Sequence, residues 1–345
     1  MTLADALAAI ILLALTAYVL FGGADFGGGV WDLLASGPNR RRQRHLIAHA
    51  IGPVWEANHV WLILAVVLLF TCFPAAFARL SIVLHVPFTL VLLGIVLRGS
   101  AFTFRSYGGE RDVEATWGRI FAIASLITPV LLGVAVGAVA SGAVGGQGAG
   151  STEQFVTVYV EPWATPFAFA VGLFALACFA FLAAVYLTLE ARETDLQEDF
   201  RRRALAAGVA VFVTAALGLL LSRDIPLVGG RLVAASWALP LHALTGIAAI
   251  TAFAALWGRR YHLARVGAAA QVTFILWGWG LAQYPYLVPP DLTIAVAAAP
   301  RVTLELVLGA LGLGALVLFP SLYYLFKIFK TPSSAPPTTP PPPRR

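Results

Sequence analysis

Four polar residues lie inside long apolar stretches of the sequence, where side chains of this kind are costly and therefore unusual. Asp25 lies in a glycine-rich part of the first stretch, and Glu56, Asn58 and His59 lie together in the second. Glu56 and His59 share one face of a helix, where they can hydrogen-bond or exchange a proton. An ionised group near the centre of a bilayer costs at least about 2.5 kcal/mol, which makes each acid a functional candidate. The pattern predicts a proton-conducting or cation-binding element.

Two structural interpretations remain open beside this one. Gly23 and Gly27 form a small-xxx-small pair that lets another helix approach closely, so Asp25 can be an acid beside a packing notch. Glu56 and His59 can likewise belong to a mutually satisfied polar cluster that pins two helices. Counted along the helix from the expected ends, Asp25 lies roughly 15 Å and Glu56 roughly 12 Å inside the same membrane surface.

Metal and haem ligation fit the pattern less well. A di-iron site of the Glu-x-x-His type needs a second such motif and two further glutamates, whereas Glu305 is expected to pair with Arg301. His45 and His59 have a spacing that stacks two haem ligands on one helix, but His45 lies in an arginine-rich connection. The sequence therefore predicts no metal site and disfavours haem binding by this chain.

Membrane helices must position these residues. The 345 residues are 59% hydrophobic and 12% charged, with a mean hydropathy of +0.84. Soluble domains carry about a quarter of their residues as charged side chains, so this composition excludes a soluble enzyme, a nucleic-acid-binding protein and a disordered chain. Nine apolar stretches are long enough to cross a bilayer about 30 Å thick as helices. They lie near 4–34, 48–73, 77–97, 117–140, 163–188, 204–222, 233–257, 262–284 and 302–326.

Basic residues predict how these helices are oriented. The connections after the first, third, fifth and seventh stretches, together with the C-terminal tail, hold 19 of the 23 Lys and Arg residues. By the positive-inside rule these segments are cytoplasmic, which places the N-terminus outside and the C-terminus inside. The net charge of +6 therefore reflects orientation and not nucleic-acid binding.

The domain organisation follows from the same pattern. We expect an all-α protein in which residues 1–330 form a single transmembrane domain of nine helices, arranged as two four-helix groups plus one peripheral helix. The Pro-rich residues 331–345 are expected to be a disordered tail. The Gly-rich start of the 141–162 connection predicts a flexible loop.

Taken in order, five short segments resemble subunit II of the cytochrome bd-type quinol oxidases. The segments are Asp25–Gly29, Ile51–Leu62, Leu97–Arg105, Gly278–Pro285 and Leu292–Ile294. Each is short, but together they span most of residues 20–330 in the order of the family, which makes the resemblance specific.

The resemblance implies a complex that oxidises quinol and reduces dioxygen to water with protons drawn from the cytoplasm. It implies a haem-bearing subunit I as partner, with haem b and haem d on that partner, and a bound quinone in some members. A small accessory subunit and membrane lipids are further partners to consider, and nucleic acid is not. The expected location is the plasma membrane of a bacterium or archaeon, as a multi-pass protein.

The resemblance also implies roles for single residues. The acids that match Asp25 and Glu56 belong to a proton-uptake path, in which we expect His59 as a relay and Asn58 as a hydrogen-bond organiser. No catalytic residue is expected on this chain. Structural or interface roles are expected for Gly23, Gly27, Trp55, Trp61, Arg98 and Arg105, the two arginines pairing with carboxylates or lipid phosphates at the inner surface.

Three positions depart from the family pattern. Gly22 stands where many members carry an acid, Glu56-Ala57 replaces a frequent aspartate and glycine, and His59 stands where glutamate or glutamine is common. One acid is missing and one imidazole is added, so a rearranged proton route is consistent with this sequence.

Two other functions remain open at this stage. A proton-coupled secondary transporter that uses Asp25 and Glu56 would be expected to have inverted repeats or broken helix pairs. A free-standing b-type cytochrome would give a haem spectrum from the purified chain alone.

Overall fold

The computed structural model describes residues 2–52, 55–107, 111–145, 155–223 and 225–330, without the side chains of 105–107, 111–115, 226–229, 326 and 329–330. This part of the chain is almost wholly helical. Its helices are α1 Leu3–Leu33, α2 Arg40–Ile51, α3 Trp55–Cys72, α4 Pro74–Val83, α5 His85–Tyr107, α6 Arg111–Ser141, α7 Phe155–Tyr159, α8 Pro166–Glu190, α9 Thr194–Leu221, α10 Pro226–Ala234, α11 Ala238–Trp257, α12 Tyr261–Gln283, α13 Ile294–Ala297 and α14 Arg301–Lys330.

Eight helices within the described residues are long and apolar enough to cross a membrane. They are α1, α3, α5, α6, α8, α9, α11 and α14, and each overlaps one of the predicted stretches. The multi-pass helical architecture is therefore confirmed. The remaining predicted stretch, near 262–284, forms the 23-residue helix α12, which is not among the eight. Its mean hydropathy is lowered by two glutamines, Gln271 and Gln283, and by its glycine and tryptophan residues.

Several predicted helix limits were wrong. Residues 40–51 form the separate helix α2, and α3 begins only at Trp55, so the stretch near 48–73 is shorter as a span than expected. The short helix α4 begins with Pro74, a residue suited to the first turn of a helix, and α5 follows from His85. Helix α5 continues to Tyr107, past the predicted end at residue 97, because the charged Arg98 is buried inside the protein and does not mark a surface.

Local sequence sets the start of the first helix. The side chain of Thr2 accepts a hydrogen bond from the backbone N–H of Asp5, and the carboxylate of Asp5 accepts one from the backbone N–H of Thr2. This capping box satisfies two backbone donors that a helix start would otherwise leave without partners. Helix α1 then runs for 31 residues, and Gly37, with φ +72°, lies in the turn before α2.

The core of the unit Met1–Leu304 is built around α8, which packs against α1, α6, α9 and α12. Close helix contacts depend on small residues. A Cβ on Gly27 would overlap the backbone carbonyl of Phe179, and a Cβ on Gly172 would lie 2.6 Å from the Val130 carbonyl oxygen. The backbones of α1, α6 and α8 therefore approach more closely than larger side chains would allow.

A small antiparallel sheet follows α12 and was not predicted. Strand β1 (Tyr286–Val288) pairs with β2 (Leu292–Thr293), with Tyr286 opposite Thr293. Helix α13 follows at once, and the side chain of Thr293 caps it by accepting a hydrogen bond from the Val296 N–H. Of the segments that carry the family resemblance, Gly278–Pro285 precedes this hairpin and Leu292–Ile294 contains its second strand.

The described residues from Glu305 to Lys330 belong to a second unit. Its described part continues α14 as helix to Lys330, with Pro320 inside the helix. Many of its large apolar side chains are exposed, as suits a surface in contact with lipid acyl chains. The predicted disordered tail, 331–345, lies outside the described residues, as does most of the Gly-rich stretch, 146–154.

Candidate functional site

Asp25 and Asn58 form a hydrogen bond in the interior of the protein. The Asn58 side-chain amide donates to Oδ2 of Asp25 at 2.7 Å, which joins α1 to α3. Both residues are buried, with 7% of Asp25 and 4% of Asn58 exposed. A hydrogen bond to a charged group contributes about 1.5–3 kcal/mol, so this contact helps to hold the carboxylate in one orientation. Two of the four polar residues singled out in the sequence therefore meet.

Arg98 is the buried cation of the same region. It is 2% exposed, and its Nε donates to the Ser125 hydroxyl oxygen on α6 at 3.2 Å. Its guanidinium lies over the ring of Phe26 at 4.6 Å and over that of Phe121 at 5.2 Å. The charges of Arg98 and Asp25 interact. A buried cation needs such a counter-charge, so Arg98 is part of the internal polar cluster and does not lie at the inner surface.

His59 lies in an aromatic enclosure beside this pair. Its ring centroid is 5.8 Å from that of Tyr18, 6.0 Å from that of Trp55 and 6.2 Å from that of Phe26. Arg98 is close enough for its charge to act on the imidazole. Residues of α1, α3, α5 and α6 therefore surround one polar region, which we call the buried polar cluster: Tyr18, Asp25, Asn58, His59, Arg98 and Ser125.

Glu56 has a different environment from Asp25. It lies in the first turn of α3 with its side chain exposed, whereas Asp25 is buried eight residues before the end of α1. The expectation that both acids lie at similar depth in the membrane stays a prediction. Helix α3 begins only at Trp55, so Glu56 is close to a helix end. The two acids therefore differ in accessibility to a proton donor.

The tryptophans beside Glu56 have packing contacts. The Trp55 ring is 6.2 Å from that of Phe102, and a Cβ on Gly99 would lie 2.9 Å from it, so α3 and α5 are closely apposed there. Trp61 is partly buried against the main hydrophobic core. The side chain of Arg105, also assigned an interface role, lies outside the described residues.

The glycines around Asp25 allow other elements to approach α1. A Cβ on Gly23 would lie 2.7 Å from the Phe179 ring, Gly27 faces the backbone of the same residue, and Gly29 faces Ser125. On the far side, Gly28 faces Ile51 of α2. Asp25 therefore lies in a tightly packed part of α1, where four neighbouring glycines face the backbone or side chains of other helices.

A second polar cluster, which sequence reasoning missed, joins the start of α2 to the start of α9. Arg42 pairs with Glu193 and with Asp195, in the latter case at 2.6 Å. The side chains of Asn39 and Gln43 both donate to Asp199, at 3.0 and 2.8 Å. The hydrogen bond to Asp195 raises the pKa of Arg42 above its usual value. In the sequence, Arg42 indicates only the orientation of the helices.

The described residues give these observations on metal and haem ligation. Among them, no group of three or more His, Cys, Asp or Glu side chains is placed to hold a metal. His59 is enclosed by aromatic rings, and Nδ1 of His242 is 2.6 Å from the Ala238 carbonyl oxygen of its own helix. The two best-defined cavities, of about 340 and 500 Å³, are lined by no histidine, cysteine or methionine.

The sequence is similar to those of several known proteins, and these proteins have related names. The sequence profile described as "Cytochrome bd terminal oxidase subunit II" matches residues 3–329. A Bacillus subtilis (strain 168) protein, provisionally named a cytochrome bd menaquinol oxidase subunit II, is 25% identical over 326 residues, which cover 90% of this chain and 91% of that protein. The cytochrome bd-I ubiquinol oxidase subunit 2 of Escherichia coli (strain K12) is 29% identical over 123 residues, 36% of this chain and 32% of its own.

A solved structure agrees with the sequence matches. One chain of the bd oxidase from Geobacillus thermodenitrificans superposes with a TM-score of 0.78 and 25% identity, covering 95% of this chain and 99% of its own. The family match extends over nearly all of the sequence, and the structural match over nearly all of the fold. The chain belongs to the cytochrome bd terminal oxidase subunit II family.

Proposed function

We propose that this chain serves in a complex that oxidises quinol and reduces dioxygen to water, and that it carries part of the route by which protons enter from the cytoplasm. The family match and the names of the relatives support the reaction. The observation that carries the proton role is the buried Asp25 carboxylate, held by Asn58 and close to the charge of Arg98.

The partner is a haem-bearing subunit I, which binds haem b and haem d. The family match to a subunit II supports a partner subunit I, and Nδ1 of His242 already contacts a carbonyl oxygen of its own helix. When bound there, the haems supply the electron transfer and the oxygen chemistry. Quinol is the substrate, and a bound quinone, a small accessory subunit and membrane lipids complete the proposed set of partners.

The proposed topology has nine spans, with α12 as the additional one, the N-terminus outside and the C-terminus in the cytoplasm of a bacterium or archaeon. Contacts between connections on one face support it. Arg42, after the first span, pairs with Asp195, after the fifth, and Arg259, after the seventh, lies 3.4 Å from Glu198. The proposed transmembrane domain is 1–330, followed by the tail 331–345.

The proposed proton path begins at Glu56 and ends at Asp25. An exposed carboxylate in the first turn of α3 can exchange protons with the cytoplasm or with the partner. His59, one helical turn further on, receives the proton, and Asn58 orients the Asp25 carboxylate that accepts it next. Arg98 lowers the cost of the ionised Asp25, so that this residue is ready to accept. The helices are held against one another by the packing contacts of Gly23, Gly27, Trp55 and Trp61.

Replacing Glu56 with Gln tests this path in the purified complex. The substitution keeps the shape of the side chain and removes its ability to carry a proton. We expect the kcat of quinol-dependent oxygen consumption to fall about tenfold, because a proton-transferring side chain typically contributes a factor of 100 or more and water can replace an exposed group in part. The KM for quinol and the haem content per complex should stay as in the unsubstituted protein.

Glu161→Gln is the matched control, because Glu161 is also an exposed acid but lies in the connection after α7. Unchanged kcat in the Glu56→Gln complex, with normal haem content, would leave Glu56 a surface residue and refute its role as the entrance.

A further inference from the structure

Tyr18 is a buried residue of the polar cluster that the path from Glu56 to Asp25 does not use. It is 3% exposed, although it lies on a helix that is mostly apolar. Its ring lies beside that of His59, with 5.8 Å between the centroids. The charges of Arg98 and Asp25 both act on its hydroxyl group. The phenol therefore lies beside the imidazole of α3 and close enough to the carboxylate of α1 for its charge to act on it.

Gly22 gives the ring of Tyr18 its position. A Cβ at Gly22 would lie 2.8 Å from Cε2 of the tyrosine ring, so the ring covers the backbone of the residue four positions later. Residues 18, 22 and 25 share one face of a helix, as positions i, i+4 and i+7. With glycine at position 22, the ring extends along α1 towards Asp25, over a helical rise of about 10 Å between the two residues.

Three polar atoms of this cluster are buried and have no hydrogen-bond partner among the described residues: Oη of Tyr18, Nδ1 of His59 and Nη2 of Arg98. Leaving such an atom without a partner costs about 1–3 kcal/mol, and native proteins rarely accept this cost away from functional sites. A phenylalanine at position 18 would fill the same space without the cost. The hydroxyl therefore has a purpose other than packing.

We propose that Tyr18 is a proton-transferring residue that links His59 to Asp25, an inference that rests on the proposed proton path. Protonated His59 gives the proton on Nδ1 to Oη of Tyr18 while the hydroxyl proton of Tyr18 passes to the Asp25 carboxylate, each transfer running through a bridging water molecule because these atoms do not bond to one another directly. The imidazole becomes neutral, the carboxylate becomes a carboxylic acid, and the phenol is regenerated unchanged. No electron moves. Gly22 acts as a positioning residue, because it allows the ring to reach the carboxylate.

Replacing Tyr18 with Phe tests the hydroxyl directly, since it removes one oxygen atom and keeps the ring. In the purified complex we expect kcat for oxygen consumption to fall at least tenfold, an increased solvent deuterium isotope effect on kcat, and an unchanged KM for quinol. Tyr186→Phe is the matched control, because Tyr186 is a largely buried tyrosine on α8 that contacts Arg265 and lies outside the cluster. A Tyr18→Phe complex with normal haem content, normal kcat and a normal isotope effect would overturn the proposal.

Gly22→Ala provides an independent test that leaves the hydroxyl in the chain. The added methyl displaces the ring, so we expect a loss of kcat comparable with that of Tyr18→Phe. The double substitution should lose no more than the more damaging single one, because residues that act through one group are not additive. Gly246→Ala is the control, since a Cβ there meets nothing within 4 Å. Strictly additive losses would mean that Gly22 does not act through Tyr18.

The proposal and the path on which it rests fail in different ways. If Glu56→Gln lowers kcat and Tyr18→Phe does not, then the path stands without its tyrosine and the proposal is wrong. If neither substitution changes kcat in complexes of normal haem content, then both the path and the link through Tyr18 are wrong.

Discussion

Arg98 is interpreted differently from the sequence and from its environment in the structure. In the sequence it is one of many arginines near helix ends, and it counts towards the orientation of the helices. In the structure it is buried, bonded to Ser125 and stacked on two phenylalanine rings, with Asp25 as its counter-charge. Burial of a charge is costly, and a single partner does not repay it. The rings and the hydroxyl supply the remaining interactions that keep the cation inside.

Removing either charge of this pair should be worse than removing both. Arg98→Met leaves the Asp25 carboxylate buried without its counter-charge, which typically costs about 3–5 kcal/mol. We expect the purified complex to unfold at a lower temperature, and Asp25→Asn added to Arg98→Met to restore part of the loss. Thermal unfolding of Arg98→Met, Asp25→Asn and the double variant measures this. A double variant that is less stable than Arg98→Met would show that the two charges do not compensate each other.

The sequence predicted part of the site and missed the rest for identifiable reasons. Asp25, Asn58 and His59 stand out because polar groups in apolar stretches are rare, and the structure brings all three to one region. Tyr18 does not stand out, because a tyrosine in an apolar stretch usually packs like a phenylalanine. The spacing of Tyr18, Gly22 and Asp25 on one helix face is the signal that would have identified it.

At the scale of the elements, long apolar stretches predict helices well because length and hydropathy are properties of the chain itself. Where a helix begins depends more on contacts between elements. The arginine-rich stretch forms the start of the separate helix α2, and its Arg42 pairs with Asp195 of α9, far away in sequence. Helix α3 begins only afterwards, at Trp55. The start of α3 at Trp55 places Glu56 in the first turn of that helix, with its side chain exposed.

The packing of α1 against α8 gives a prediction at this scale. Gly27→Val places a branched side chain against the backbone of Phe179, which cannot move aside as a side chain can. Overpacking of this kind costs at least about 1–3 kcal/mol. We expect much less assembled complex in the membrane, measured by haem absorbance per milligram of membrane protein.

Gly246→Val is the control for this prediction, because the position on α11 is open. Equal amounts of complex for the Gly27 and Gly246 variants would show that α1 and α8 can separate without loss, and that the glycine is not required for packing.

At the scale of the whole molecule, charge is distributed in two ways. Arg42 of α2 and Arg259, after α11, pair with acidic residues at the start of α9. Asp25 and Arg98, by contrast, lie inside helices, in the buried polar cluster formed by residues of α1, α3, α5 and α6. The first distribution suits orientation and assembly, and the second suits movement of a proton through an otherwise apolar protein. Oxygen reduction is assigned to the partner, so the proposed contribution of this chain is to deliver protons.

The most direct test of that contribution is the turnover of a complex carrying Asp25→Asn, which keeps the size and hydrogen-bonding capacity of the side chain but cannot carry a proton. Oxygen consumption and proton uptake should be measured together on purified complex matched for haem content. A proton-delivery role for Asp25 predicts that kcat and the rate of proton uptake fall together by at least tenfold, with the KM for quinol unchanged. Normal kcat and normal proton uptake in a fully assembled Asp25→Asn complex would contradict it.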